Sequence, residues 1–174
     1  GFDYNDTLTG NNQENTISGG NGNDTLIGGK GNDTLKGEGG NDTYIWNLGD
    51  GFDYINDSND NNIIEFGEGI TLENLTFERS NENDSTYGYD LYIFVNGDRN
   101  QGLQLYYFFG SSSYQNFTLK FADGSTTPLT TDISLSQLPE VNLTLNGTAD
   151  DDILTGGTGH DIINAGDGYN DITG

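Results

Sequence analysis

The sequence predicts an all-β fold in which a parallel β-roll is followed by a β-rich cap and then by the start of a second roll. Three observations predict it. A nine-residue unit recurs head to tail over residues 19–45, reading GGNGNDTLI, GGKGNDTLK and GEGGNDTYI. The eighth place of each unit is large and apolar, with short polar and glycine-rich runs between. The units stop after residue 65 and return at Gly147, and the stretch between them alternates apolar and polar residues in strand-like runs. Three regions follow: 1–65 as the first roll, 66–141 as a capping region, and 142–174 as a second, truncated roll.

Composition restricts the function. The chain has 174 residues with 28 Asp and Glu against 5 Lys and Arg, a formal charge of −23, and only 31% hydrophobic residues. Such a charge repels nucleic acid and anionic membrane surfaces, which are excluded as partners. Low hydrophobicity with high net charge is also the composition of disordered chains, so folding requires something to neutralise the carboxylates. Cysteine is absent and there is one histidine, which removes disulfides, thiolate sites and imidazole-rich sites. Oxygen donors remain, and they suit calcium. No apolar run approaches the roughly 18 residues of a membrane span, and no signal peptide opens the chain. The sequence begins and ends inside a repeat, so it is expected to be part of a longer polypeptide whose export signal lies elsewhere.

In the first block the frame of Gly19 extends back through two units and, after two extra residues, Trp46 and Asn47, forward through two more. The sixth place reads Asp6, Asn15, Asp24, Asp33, Asp42, Asp53 and Asn62; the eighth reads Leu8, Ile17, Leu26, Leu35, Tyr44, Ile55 and Ile64. An apolar residue at every eighth place is not the pattern of a disordered Gly/Asn/Asp tract. Glycines at places one, two and four allow a tight turn and close approach of backbone to an ion. Asn and Asp tolerate the same conformations and offer oxygen atoms. The last triplet, such as Thr25-Leu26-Ile27, is a short strand with its middle side chain inward. Two units make one coil, coils stack in parallel at about 4.8 Å, and turns one coil apart face the same gap.

These units resemble the calcium-binding nonapeptides of RTX proteins, large bacterial products exported by type I secretion. The resemblance implies that each ion lies between stacked turns. It takes carbonyls from places two and four and the place-six carboxylate of one turn, then carbonyls from places one and three and the place-six carboxylate of the turn one coil on. Carried onto this chain, it pairs Gly20, Gly22 and Asp24 with Gly37, Gly39 and Asp42. On the other side it pairs Gly29, Gly31 and Asp33 with Leu48, Asp50 and Asp53, where the two inserted residues are expected to distort the spacing. It also pairs Phe2, Tyr4 and Asp6 with Gly19, Asn21 and Asp24, and Glu38, Gly40 and Asp42 with Asp57, Asn59 and Asn62. Gly28, Lys30 and Asp33 face a poorer turn in which Asn11, Gln13 and Asn15 replace the glycines and the charge; that gap holds either metal or water.

In the middle region FGEGITLENLTFERS, DLYIFVNG, GLQLYYFFG and FTLKFADGS read as strands. Asn96-Gly97 marks a hairpin between the strand containing Leu91, Ile93 and Val95 and a strand over 103–109. A short helix is expected over 131–138, ended by Pro139. The region resembles the repeat-associated β segment that often follows RTX blocks. Its aromatic residues, Tyr87, Tyr89, Tyr92, Phe94, Tyr106 to Phe109, Tyr114, Phe117 and Phe121, have two readings. One is a core closing the open end of the roll; the other is a stacking platform for a sugar. Glu78, Arg79 and Asp90 show no catalytic spacing and are expected at the surface.

In the second block the units GTADDDILT, GGTGHDIIN and AGDGYNDIT place Leu154, Ile163 and Ile172 inward. Thr148, Asp150 and Asp152 pair with Ala165, Asp167 and Asn170 by the same resemblance, and Asp161 needs a turn beyond Gly174. His160 occupies a solvent-facing place five.

The resemblance implies a calcium-dependent folding module of a secreted or cell-surface bacterial protein, binding several Ca2+ ions, with calcium and neighbouring repeats of the same polypeptide as partners. The alternative is an extracellular module that binds a glycan or surface ligand through the middle aromatics or the repeat face; repeat modules of alginate-modifying enzymes resemble the first block. No nucleophile–base pair is present, and Pro128 and Pro139 follow Thr and Leu, so there is no Asp-Pro bond of the kind self-processing RTX modules cleave. Catalysis is not expected.

Overall fold

The computed structural model describes residues 1, 3–58, 60–80, 89–130 and the strand residues 144–146, 153–155, 162–164 and 171–173. The described elements are strands and two 3-10 turns, Leu72–Asn74 and Ser112–Tyr114. The helix expected over 131–138 lies outside the described residues. Among those described, no helix is long and apolar enough to cross a membrane.

The chain divides into two compact units, Gly1–Ser134 and Leu135–Gly174. In the first, two six-stranded sheets face each other. One runs β1 (Thr7–Thr9), β3 (Thr25–Ile27), β5 (Thr43–Trp46), β7 (Asn62–Phe66), β11 (Phe117–Lys120), β12 (Thr126–Leu129). The other runs β2 (Thr16–Asn21), β4 (Thr34–Gly39), β6 (Phe52–Ile55), β10 (Asp98–Leu105), β9 (Leu91–Val95), β8 (Leu75–Arg79). Successive units alternate between the sheets, as two units per coil require. All the repeat strands pair in parallel: Leu8 opposes Leu26, Leu26 opposes Tyr44, and Ile17 opposes Leu35. After the insertion the offset lengthens by two residues, so that Leu35 opposes Ile55 and Tyr44 opposes Ile64. Trp46 is taken into the core beside Phe66, and Asn47 to Asp50 close a turn in which Asp50 Oδ2 accepts the Asn47 N–H at 2.7 Å.

The middle region is more than a lid on this roll. β10 pairs in parallel with β6, and β11 in parallel with β7. Each sheet thus gains one further parallel strand before antiparallel strands β9, β8 and β12 complete it. The core continues through the join: Leu26, Leu35, Tyr44, Ile55 and Ile64 lie between the repeat strands, and Phe77, Ile93, Leu103, Leu105, Phe108 and Leu119 carry the same interior onward. The Asn96-Gly97 turn forms as expected, with positive φ at both residues. Its second strand ends at Leu105 rather than continuing to 109, because Tyr107 adopts φ 53 in a turn.

In the second unit β13 (Thr144–Asn146) pairs in parallel with β15 (Ile162–Asn164), and β14 (Ile153–Thr155) with β16 (Asp171–Thr173). Leu145 opposes Ile163 and Leu154 opposes Ile172, the same one-coil spacing as in the first block.

Candidate metal centre

The strand registers stack the place-six residues in two rows, and their side chains point inward. Asp24, Asp33, Asp42, Asp53 and Asn62 are all at most 1% exposed. In each case Oδ1 accepts the backbone N–H of the place-six residue one coil earlier. Asp6 donates to Asp24 at 2.8 Å, Asn15 to Asp33 at 2.7 Å, Asp24 to Asp42 at 2.7 Å, Asp33 to Asp53 at 2.8 Å and Asp42 to Asn62 at 2.9 Å. A second ladder on the outer side of the turns was not legible as a role in the sequence. There the N–H groups of Asn23, Asn41 and Asn61 donate to the side-chain oxygens of Asn5, Asn23 and Asn41 at 2.8 to 2.9 Å. Its signal was the Asn recurring at place five.

The other carboxylate oxygen is the informative one. Asp24 Oδ2, Asp33 Oδ2 and Asp42 Oδ2 are buried without any hydrogen-bond partner. A buried carboxylate oxygen left unpaired is costly unless a cation or proton meets it. Each aims at the place-one glycine of its own turn: a methyl group on Gly19, Gly28 or Gly37 would run into Asp24 Oδ2, Asp33 Oδ2 or Asp42 Oδ2. The turns stack so closely that a side chain at Gly40 would meet the Gly22 carbonyl oxygen, and Gly40 itself has φ 121. Between stacked turns there are therefore carboxylate and carbonyl oxygens and no room for a side chain at these glycines.

The electrostatics agree. Burial raises the carboxyl group of Asp53 to about 7, with the neighbouring Asp33 and Asp50 carboxylates adding to the shift and the Asp33 N–H opposing it. Burial likewise raises Asp42 to about 6, against the Asp24 N–H and with the charges of Asp24 and Asp60. Asp33 is raised in the same direction by burial. Each shift follows from burial and like charge, and a cation placed in the gap would oppose it.

The donor set fits calcium. Among the described residues no three Asp, Glu, His or Cys side chains gather into one cluster. Each gap offers two place-six side chains plus main-chain oxygens, the hard all-oxygen environment calcium takes. The structure brings Asp6 to Asp24, Asp24 to Asp42, Asp33 to Asp53 and Asp42 to Asn62. Asn15 joins Asp33 through its N–H, with its own Oδ1 accepting the Asn11 N–H at 2.7 Å. Leu48 is exposed and Asp50 is turned toward Asn47. Phe2, Asn59, Thr148, Asp150, Asp152, Asp161, Ala165, Asp167 and Asn170 lie outside the described residues, as does His160.

Outside the turns, Asp90 corrects the sequence reading. It is 1% exposed, not a surface residue. Its carboxylate accepts the Tyr107 N–H at 2.7 Å and Gln104 Nε2 at 2.6 Å, which holds the turn that ends β10. Glu78 pairs with Arg99 at 2.7 Å, and the Arg79 guanidinium lies over the Phe109 ring. The aromatic residues separate by position: Phe108, Phe117 and Phe121 are core, Phe94 packs with Phe52, Tyr92 and Arg99, and Tyr54, Tyr106, Tyr107 and Tyr114 form a half-buried cluster with ring centroids 5.6 to 6.0 Å apart.

Residues 1–35, 18–45 and 144–172 match the family model described as RTX calcium-binding nonapeptide repeat (4 copies). No curated protein matches the chain. The matched residues carry RTX calcium-binding nonapeptide repeats, which bind Ca2+, and those of the first block are stacked as a parallel β-roll.

Proposed function

We propose that this chain is a calcium-dependent folding module of a secreted bacterial RTX protein, open at the low calcium of the cell interior and folded at the calcium levels outside it. The observation that carries this reading is the row of buried place-six carboxylates, among which Asp24, Asp33 and Asp42 each have one oxygen satisfied by backbone and the other left without a partner. Without a cation these charges repel and are desolvated, and many glycine turns must be ordered for little burial in return. Bound calcium supplies the positive charge that offsets both costs. Asp24 with Asp42, and Asp33 with Asp53, are the pairs that would hold it, with the carbonyls of the glycine turns. The second block is proposed to do the same with Asp152 and Asn170. Because Asp24 and Asp42 each serve the gap on either side, filling one gap orders half of the next, and the transition is cooperative. Extracellular calcium modules bind at about 10⁻⁴ to 10⁻³ M, which sets the range in which the switch operates.

Far-UV circular dichroism of the whole chain, metal-free and then with millimolar calcium, tests this. A β signal that appears steeply on calcium addition is expected. An equally strong β signal in metal-free buffer sinks the reading.

A second reading, a glycan-binding surface, is favoured by one observation. On the outer face of the second sheet Thr34, Tyr54, Tyr92 and Gln104 line an open groove of about 440 Å³, and Phe52, Tyr92 and Phe94 stack alongside it. Rings beside an amide and hydroxyls suit a neutral sugar. A glycan array read in calcium buffer, with Tyr92→Ala as control, decides it; no bound glycan leaves the structural role alone.

A further inference from the structure

The gap at the end of the repeat stack departs from the other gaps in three places at once, and the three departures touch. In residues 57–65 the first place is Asp57 where the best units carry glycine, and the sixth is Asn62 where they carry Asp. In the unit one coil earlier the eighth place is Tyr44 where the two preceding units carry Leu. Tyr44 Oη donates to Asp57 Oδ2 at 2.5 Å, inside the roll. Asp57 is 4% exposed, and a methyl group on Gly37 would run into Asp42 Oδ2, Asp57 Oδ2 and Tyr44 Oη together. The three oxygens therefore converge against the Gly37 backbone. Asp57 Oδ1 and Asp42 Oδ2 are both buried with no hydrogen-bond partner. Among the described residues neither carboxylate takes part in a salt bridge, and Lys36, which lines the adjoining cavity of about 240 Å³ with Asp57, forms none.

We propose that the Asp57 side chain is itself a calcium ligand in this last gap, supplying the negative charge that Asn62 lacks. By the repeat pattern Asp57 would contribute only its carbonyl. The geometry gives its carboxylate a role that glycine cannot fill. The charge count supports it: the Asp24–Asp42 and Asp33–Asp53 gaps each hold two buried carboxylates, and in the Asp42–Asn62 gap Asp57 is the buried carboxylate beside Asp42, Asp60 being exposed. An all-oxygen set of two carboxylates, main-chain carbonyls and an amide oxygen selects calcium over softer metals. Tyr44 is a positioning residue: its hydroxyl turns Asp57 inward and leaves the second oxygen free. The position in the fold gives the arrangement a purpose. One strand further on, Phe117 stands opposite Asn62, and Leu103 stands opposite Asp53. The polar rows end there, and the last ion has an apolar layer on one side.

This inference rests on the calcium-binding role proposed above, and calorimetric calcium titration of the full chain separates the two. Wild type is expected to saturate with a set number of ions, and Asp57→Asn with one fewer, or with one site weakened by roughly tenfold or more, since ligand charge tunes affinity. The β signal at saturating calcium should be retained. Asp57→Gly combined with Asn62→Asp, which moves the charge to the usual sixth place, is expected to recover the lost ion. Tyr44→Phe should keep the ion count and weaken the site. An Asp57→Asn chain that binds as many ions as wild type with the same midpoint overturns the proposal. Should Asp57→Asn not fold, Asp57→Gly is compared with the double variant, and equal ion counts there overturn it equally. A wild-type chain that binds no calcium removes the folding role itself, a distinct result.

Discussion

The repeat coils and the strands stacked on them share two sheets and one interior, yet they are stabilised by opposite chemistry. In the row that runs through β7 the inward side chains read Asp24, Asp42, Asn62 and then Phe117; in the row through β6 they read Asp33, Asp53 and then Leu103. The neighbouring place-eight rows stay apolar throughout, ending Ile64 to Leu119 and Ile55 to Leu105. Parallel stacking of short strands thus tolerates either a carboxylate or a ring at the same position. The carboxylate requires a cation, whereas the ring needs only to be removed from water. On the proposed reading the repeat half is conditional on calcium, and the extension, whose rows are apolar, is expected not to be.

Removing calcium should divide the molecule along this line. In metal-free buffer, hydrogen exchange is expected to lose protection throughout β2 to β6 and to retain more of it in β8, β9 and the β9–β10 hairpin. Uniform loss would mean that the extension cannot hold without the coils. Cutting the apolar side of the comparison comes next in size: Leu119→Ala, at a fully buried site, should cost about 2–5 kcal/mol at saturating calcium, measured by denaturant unfolding. Cutting the polar side is smaller and of another kind. Asp24→Asn, shared between two gaps, should move the calcium midpoint of folding upward by about tenfold, or about 1.4 kcal/mol, with little change in stability once calcium is in large excess.

Acidity offers a further test. Burial holds Asp42 at about 6 and Asp53 and Asp57 at about 7 in the metal-free fold, above the 3.8 of an unperturbed Asp. A carboxyl group whose folded pKa is raised favours the folded chain while protonated. Its contribution is complete below 3.8 and is lost as pH rises through 6 to 7. The metal-free chain should therefore show more β structure at pH 5 than at pH 8, and calcium should reverse that order. Circular dichroism in metal-stripped and calcium buffers at the two pH values checks it. In the extension the effect is of another kind: Asp90→Ala leaves the Tyr107 N–H and the Gln104 amide without their acceptor and should cost about 1–3 kcal/mol, independent of calcium.

Much of this was legible along the chain. The eighth-place apolar row, the stacking of place-six residues one coil apart and the two-residue insertion at Trp46-Asn47 all appear in the strand registers as the spacing predicts, because each follows from contacts between adjacent coils. The Asn96-Gly97 hairpin was equally local. Less legible were Asp90, whose burial depends on a turn many residues later, and the inward swing of Asp57, which depends on a tyrosine one coil back.

By itself the sequence determined the period, the two-sheet roll and the oxygen-only chemistry of its gaps, since a repeat confines its meaning to neighbouring units and any stacking must bring like places together. Only the tertiary structure decided that β10 and β11 extend the roll in parallel, how the polar rows end at Phe117 and Leu103, and which oxygens are left without partners. Those outcomes rest on pairing between segments far apart in the chain. No local pattern encodes such pairing; it is selected by burial of the whole interior.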